Sequence, residues 1–376
     1  MKKGYLILEN GKVFEGIRYD DSKTEPVGEL VFNTGMTGYL ESVTDPSYYG
    51  QMLIQTFPLI GNYGVIPQDF ESSKIHLKAY IINKLCELPS NFRSTGKLGD
   101  YLKEQDTPVL LLKDTRNLTK IVREQGVMNA IISSTPHLPK EKMEKLKKYT
   151  IKDAVSAVTS SKMKNHPAYT DSRNESGTSH GNHQVNKKIL LIDFGTKANI
   201  IRELNKRGCD VILTSADITI NEIEDIKPDG IMLSNGPGDP AENTGVIEEL
   251  KKICKKGIPV FGICLGHQLL ALANGASTEK MTYGHRGANQ PVMNVNTKRV
   301  YITSQNHGYC VDEKSLPRNA AQLFKNVNDN TCEGIEYHNF PGFSVQFHPE
   351  ACGGPLDMNY LFDDFMDLIE EVNINA

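Results

Sequence analysis

Phe261-Gly262-Ile263-Cys264-Leu265-Gly266-His267-Gln268 carries an apolar strand, Pro259–Ile263, into a helix, Gln268–Ala273, through a G-x-C-x-G turn. This is the cysteine form of the nucleophile elbow. Its two glycines allow a tight strand-to-helix turn and clear space around the central side chain. Cys264 then sits at the strand's C-terminal end with its sulfur at the helix N-terminus, where partial positive charge favours the reactive thiolate. The N–H of Leu265 points where an oxyanion would form. The bland alternative is an inert, buried cysteine. A turn of this composition in this context favours the nucleophile.

Outward from the elbow, the chain alternates strand and helix. Ile189-Leu190-Leu191-Ile192 is a continuous apolar run, as in a strand buried on both faces. A helix over Thr196–Arg207 follows, with Ile200, Ile201 and Leu204 on one face. Strand Val211–Leu213, helix Ile220–Ile226, strand Gly230–Leu233 and helix Val246–Lys256 lead into the elbow strand. That rhythm predicts an α/β domain over 187–376, an open, mostly parallel sheet with helices on both faces. Beyond Val292 the pattern turns strand-like (Val300–Thr303, Ala321–Phe324, Gly342–Phe347), and Asn359–Val372 reads as a closing amphipathic helix.

Two further segments lie at predicted strand ends. In His348-Pro349-Glu350, Pro349 biases His348 toward an extended conformation. Residues i and i+2 of an extended chain share a side, so Glu350 can orient the imidazole as base. Alone, His-x-Glu is usually a surface pair; it gains meaning beside the elbow. Ser234-Asn235-Gly236-Pro237-Gly238-Asp239-Pro240 is a rigid loop at another strand end, where open α/β sheets bind ligands. In isolation it would read as a plain turn.

The first 150 residues read as a strand-rich α+β domain. Asn10-Gly11 makes a hairpin of Tyr5–Leu8 and Val13–Phe14. Helical patterns occur at Leu98–Gln105, at Leu118–Glu124 with Asn117 as its N-cap, and over the basic stretch Lys140–Lys148. Residues 151–186 are rich in Ser, Thr, Asn, His and Gly and read as a polar linker. His166, His180 and His183 fall there, and no metal site is expected from them.

Composition narrows the classes. The 376 residues include 42 basic and 46 acidic side chains, net charge -4, so no bulk positive field holds nucleic acid or an anionic membrane. No run approaches the ~18 apolar residues of a membrane helix. Seven cysteines without Cys-x-x-Cys spacing and no secretory signal imply reduced thiols and a cytoplasmic location. No Walker or G-x-G-x-x-G loop occurs.

The G-P-G-D-P loop, the G-I-C-L-G-H-Q elbow and H-P-E together resemble the class I (triad) glutamine amidotransferases, with their flavodoxin-like core. The N-terminal half resembles the small subunits of carbamoyl-phosphate synthetases: Gly28-Glu29-Leu30-Val31-Phe32-Asn33-Thr34-Gly35-Met36-Thr37-Gly38-Tyr39-Leu40-Glu41-Ser42-Val43-Thr44-Asp45-Pro46-Ser47-Tyr48, Pro58–Gly64 and Asp114–Thr119 carry that likeness. The resemblance implies that Cys264, His348 and Glu350 hydrolyse glutamine. It implies that Ser47, Gly236, Gly238, Leu265, Gln268, Asn306, Gly308 and Tyr309 hold the substrate, Tyr309 standing where the family usually has Phe. Ammonia would pass to a large subunit that makes carbamoyl phosphate from bicarbonate and ATP for pyrimidine and arginine synthesis. No cofactor is implied on this chain; ATP and Mg belong to the large subunit. Two other readings are a non-catalytic binding subunit and a stand-alone cysteine hydrolase. The intact triad argues against the first and the N-terminal half against the second. His267, His307 and Cys352, adjacent to these motifs, read as packing or bystander residues.

Overall fold

A computed structural model describes residues 2–19, 24–169 and 187–375. The chain divides into two compact units, Met1–Ala154 with Thr282–Gly287, and Val155–Met281 with Ala288–Ala376.

In the first unit, strands β1 (Lys2–Leu8), β2 (Val13–Arg18), β3 (Val27–Asn33), β4 (Gln51–Ile60), β5 (Ala79–Leu85), β6 (Val109–Leu111) and β7 (Met128–Ser133) close into a barrel, in the order β1-β2-β6-β5-β4-β3-β7. Closure removes the open sheet edges that would invite pairing with other chains. β1 and β2 form the expected antiparallel hairpin, and Gly11 takes φ 86° at its turn. Side chains alternate between two apolar layers. Leu6, Leu8, Met52, Ile54, Ile81 and Ile132 pack with Leu118 and Val122 of helix Thr115–Gln125. Leu53, Tyr80 and Ile82 pack with Leu40, Leu98 and Leu102 of two shorter helices. The N-cap of helix Thr115–Gln125 is Asp114, whose carboxylate accepts from Asn117 N at 3.2 Å. The sequence reading placed the cap at Asn117, but a carboxylate three residues earlier reaches that amide and adds a turn. Ser47 lies in the 3-10 turn Pro46–Tyr48, and its N–H donates to Asp45 Oδ1 at 2.8 Å.

The second unit is built on one ten-stranded sheet. Its strands are β8 (Lys164–His166), β9 (Lys187–Asp193), β10 (Cys209–Ser215), β11 (Gly230–Leu233), β12 (Val260–Ile263), β13 (Thr278–Asn294), β14 (Val300–Val311), β15 (Ala320–Asn326), β16 (Cys332–Tyr337) and β17 (Gly342–Val345), in the order β14-β13-β15-β16-β17-β12-β11-β9-β10-β8. The block β17-β12-β11-β9-β10 is parallel throughout. β16, β15 and β13 extend it through antiparallel pairings, and β8 lies antiparallel on the other edge. One face packs on Ile200, Leu204, Phe362, Phe365 and Ile369, the other on Leu250, Ile253, Leu269 and Leu270. Phe261 and Phe343 are register partners across β12 and β17, with rings stacked 4.4 Å apart and Phe362 edge-on to Phe261 at 5.8 Å. Such aromatic pairs contribute about 0.5–1.5 kcal/mol each beyond burial. They help fix the register of these two strands.

Among the described residues of 151–186 lie helix Ala154–Val158 and edge strand β8. Val155 enters the sheet's core, Thr159 Oγ1 donates to Asp193 O at 2.6 Å, and Ser160 N and Oγ donate to Asp193 Oδ2. The Ser and Thr that give this stretch its linker composition here cap the end of β9. His180 and His183 lie outside the described residues. No helix among the described residues is long and apolar enough to cross a membrane.

Candidate active site

β11, β12 and β17 are neighbours and parallel, so the segments leaving their C-terminal ends meet at one edge of the sheet. Those segments are the Ser234–Pro240 loop, Cys264, and His348-Pro349-Glu350.

The elbow is made by backbone constraint. Cys264 adopts φ 53°, ψ -102°, a conformation that costs an ordinary L residue about 1–3 kcal/mol. Three hydrogen bonds hold it: Cys264 N to Val345 O at 2.8 Å, Gly266 N to Ser234 O at 3.0 Å, and Gln268 N to Cys264 O at 3.1 Å. The flanking glycines are required by close approach. A Cβ on Gly262 would stand 2.9 Å from Gly266 O, and one on Gly266 2.5 Å from Leu233 O. The helix runs Leu265–Ala273, starting at the residue after the cysteine, so the Leu265 N–H is among the first-turn amides without an intrahelical acceptor. Cys264 is almost fully buried, and its Sγ faces Asn306 O at 3.8 Å.

The Gly-Pro-Gly loop is tied down from β9. Phe194 N donates to Ser234 Oγ at 2.9 Å, Lys197 N to Asn235 Oδ1 at 3.0 Å, and Asn235 Nδ2 to Gly195 O at 2.9 Å. Gly236 lies so close to the Phe194 carbonyl and the Leu265 side chain that no Cβ fits there. Gly238 takes φ 92°.

His348 and Glu350 are buried, with Nδ1 and Oε1 2.7 Å apart. Burial is the largest influence on the Glu350 carboxyl and opposes its charge. The fields of His348 and Lys197 outweigh it and hold the carboxyl at about 2. Glu350 is therefore ionised at neutral pH, and Nδ1 of His348 must donate to it. That leaves Nε2 as the basic nitrogen. His348 Nε2 is buried and has no hydrogen-bond partner among the described residues, as a group awaiting a substrate would be.

Of the candidate glutamine contacts, Leu265 follows the nucleophile and Gln268 lies one turn into the same helix. Gln268 Nε2 donates to Tyr309 O at 2.7 Å and to Gln346 Oε1 at 2.8 Å, tying that helix to β14, which carries Asn306, Gly308 and Tyr309. The structure thus brings Cys264, Leu265, Gln268, Asn306 and Tyr309 together, with Gly236 against Leu265. Ser47 belongs to the first unit. The Tyr309 ring is half-buried, with the Lys280 ammonium 6.0 Å from its centroid.

Lys197 and Asn199 escape sequence reasoning. Lys197 Nζ stands 3.5 Å from Glu350 Oε1, its side chain 9% exposed, and the Asn199 amide donates to Glu350 O. Their signal would have been a lysine just past the end of β9, at the rim where ligands bind, but no local motif marks it. His267 has the expected packing role. Burial pushes it down to about 3, so it is neutral, and its Nδ1 pairs with Ser344 Oγ at 2.8 Å. His307 pairs with Tyr309 O and Gln305 Oε1 and shapes its own strand. Burial raises the thiols of Cys209, Cys254, Cys310 and Cys332, while Cys352 is exposed.

Residues 190–368 match the family model "Glutamine amidotransferase class-I", and residues 6–132 match "Carbamoyl-phosphate synthase small chain, CPSase domain". Among curated proteins, the chain is 46% identical to the carbamoyl phosphate synthase pyrimidine-specific small chain of Bacillus subtilis, over 98% of this chain and 96% of that one. It is 47% identical to the carbamoyl phosphate synthase small chain of Clostridium perfringens, over 97% and 99% of the two chains. The small chain of Lactococcus lactis subsp. cremoris is 44% identical, over 98% and 99%.

Proposed function

The chain belongs to the family of carbamoyl phosphate synthase small chains, and from that premise we propose that it hydrolyses L-glutamine and delivers the ammonia to a synthetase large chain. The observation that carries the reading is the strained elbow on β12. It places Cys264 beside β17, which delivers a buried His348–Glu350 pair with one ring nitrogen unpaired among the described residues.

His348 Nε2 takes the proton of the Cys264 thiol, the thiolate attacks the carboxamide carbon, and the oxyanion forms against the N–H groups of Leu265 and the Gly236 loop. His348 gives a proton to the departing ammonia, leaving a γ-glutamyl thioester. It then takes a proton from water, whose attack releases glutamate and restores the thiol. Glu350 holds the imidazole in its working tautomer, and Lys197 keeps Glu350 charged. Gly236, Gly238, Gln268, Asn306, Gly308 and Tyr309 frame the glutamine. The large chain carries ATP and Mg and makes carbamoyl phosphate from bicarbonate and the ammonia, feeding pyrimidine and arginine synthesis in the cytoplasm. No cofactor is assigned to this chain, since each step uses only its own thiol, imidazole, carboxylate and amides.

The test is Cys264→Ser in the assembled synthase. Carbamoyl phosphate production from glutamine should vanish while production from free ammonia persists. Glutamine-dependent activity at the wild-type level would refute the assignment.

A further inference from the structure

The two backbone carbonyls between His348 and the end of its turn are each held by a side-chain amide from another element. Asn199 Nδ2 donates to Glu350 O, and Asn359 Nδ2 donates to Pro349 O at 3.4 Å. Both amides trace to the single helix Ala198–Lys206. Asn199 lies in its first turn. Asn359 is fixed by Arg207, the residue that ends it.

Arg207 is buried, and the polar hydrogens of its guanidinium are all engaged. Nε and Nη2 grip Asp363 at 2.7 and 3.0 Å, and Nη1 grips the Glu203 carboxylate and carbonyl at 2.9 and 3.1 Å. Nη2 also reaches Asn359 Oδ1 at 2.8 Å and Asn359 O at 3.2 Å. The carboxamide of Asn359 is thereby orientated: its oxygen faces the cation, so its NH2 group is turned to Pro349 O and the Glu203 carboxylate.

We infer that Asn199 and Asn359 are positioning residues for the triad. They fix the Pro349–Glu350 backbone, and with it the point from which Glu350 carries the imidazole of His348. Neither touches the reacting atoms. This inference rests on the glutaminase reading. A misplacement of about 1 Å in a reacting group can cost on the order of 100-fold in rate, so loss of one such tether should show in turnover and not in substrate binding.

The discriminating variants are Asn199→Asp and Asn359→Asp. Each keeps the side-chain shape, puts an acceptor in the donor's place and adds a negative charge. Asn359→Asp also keeps, as a carboxylate, the acceptor that Arg207 grips, but sets it beside the carboxylates of Glu203 and Asp363, which share the same guanidinium. The full chain would be assembled with a carbamoyl phosphate synthase large chain and assayed for glutamine hydrolysis. Alkylation of Cys264 by iodoacetamide would be followed in parallel by mass spectrometry, a readout that needs no substrate. We expect each variant to lose about tenfold or more in kcat with KM within twofold, Tm lowered for Asn359→Asp by its added charge, and Cys264 alkylated several-fold more slowly. If Asn199→Asp does not fold, Asn359→Asp alone decides. Wild-type kcat and alkylation rates in Asn359→Asp overturn the inference. Absence of glutamine turnover in the unsubstituted chain would instead overturn the glutaminase reading, and the alkylation rates would still decide this one.

Discussion

Replacing Glu350 by Gln isolates the charge at the base of the proposed triad. The glutamine side chain has nearly the shape of a permanently protonated acid. In the native chain, His348 and Lys197 draw the Glu350 carboxyl from its ordinary 4.5 to about 2, against the cost of complete burial. Each tenfold gain in acidity is worth about 1.4 kcal/mol. Ionising this carboxyl is therefore about 3 kcal/mol more favourable in the folded chain than in the unfolded one. Because the folded value is depressed, this stability is complete above the unfolded value of 4.5. It is lost as pH falls toward 2. Glu350→Gln should be about 3 kcal/mol less stable than the native chain in urea unfolding at pH 7, and the gap should narrow to about 1 kcal/mol near pH 3. The catalytic effect has a separate origin. A carboxamide N–H facing Nδ1 forces the proton onto Nε2, which can no longer accept one, and comparable tautomer errors cost about 10⁴ in kcat. Steady-state glutaminase kinetics should show that loss with KM nearly constant. Equal stability of the two chains at pH 7, or a gap that widens in acid, would refute the electrostatic reasoning.

Lys197→Met removes the lysine cation beside Glu350. The carboxyl should then rise toward its ordinary value, and the acid limb of the glutaminase pH profile should move to higher pH; an unmoved limb would mean that the 3.5 Å ion pair does not tune the triad. Gly266→Ala places a methyl group 2.5 Å from the Leu233 carbonyl oxygen and 2.7 Å from Leu233 Cβ. Overpacking of this kind costs about 1–3 kcal/mol, so thermal unfolding should shift down and glutamine turnover fall sharply, whereas a fully active variant would show that the elbow tolerates movement.

The site was legible in the sequence where its chemistry demands a local backbone. The elbow needs Gly262 and Gly266 because their α-carbons nearly touch other main chain, and that demand is written into five consecutive residues. His348-Pro349-Glu350 and the Gly236–Gly238 loop are readable for the same reason. Lys197, Asn199 and Asn359 were not legible. The Lys197 and Asn199 side chains meet Glu350, and that of Asn359 meets Pro349, only after the sheet and its helices have packed, and nothing in their neighbours requires them. The parallel strands of the second unit were visible as apolar runs, since both their faces are buried. β13 was not: Gly284, His285, Arg286, Gly287 and Pro291 break any strand pattern within it. Closure of the first barrel depends on β1 pairing with β7, more than 120 residues later in the chain, and local periodicity carries no record of such a partner. The helix cap at Asp114 shows how a boundary slips by one turn when a more distant carboxylate reaches the same amide.

The most direct test of the central claim is glutamine hydrolysis by this chain, alone and with a carbamoyl phosphate synthase large chain supplied with ATP and bicarbonate. The account predicts slow hydrolysis alone, a strong rise on adding the large chain, and one carbamoyl phosphate formed for each glutamine consumed. Hydrolysis indifferent to the large chain, or no hydrolysis in either state with Cys264 left unmodified by a glutamine-analogue alkylating agent, would contradict it.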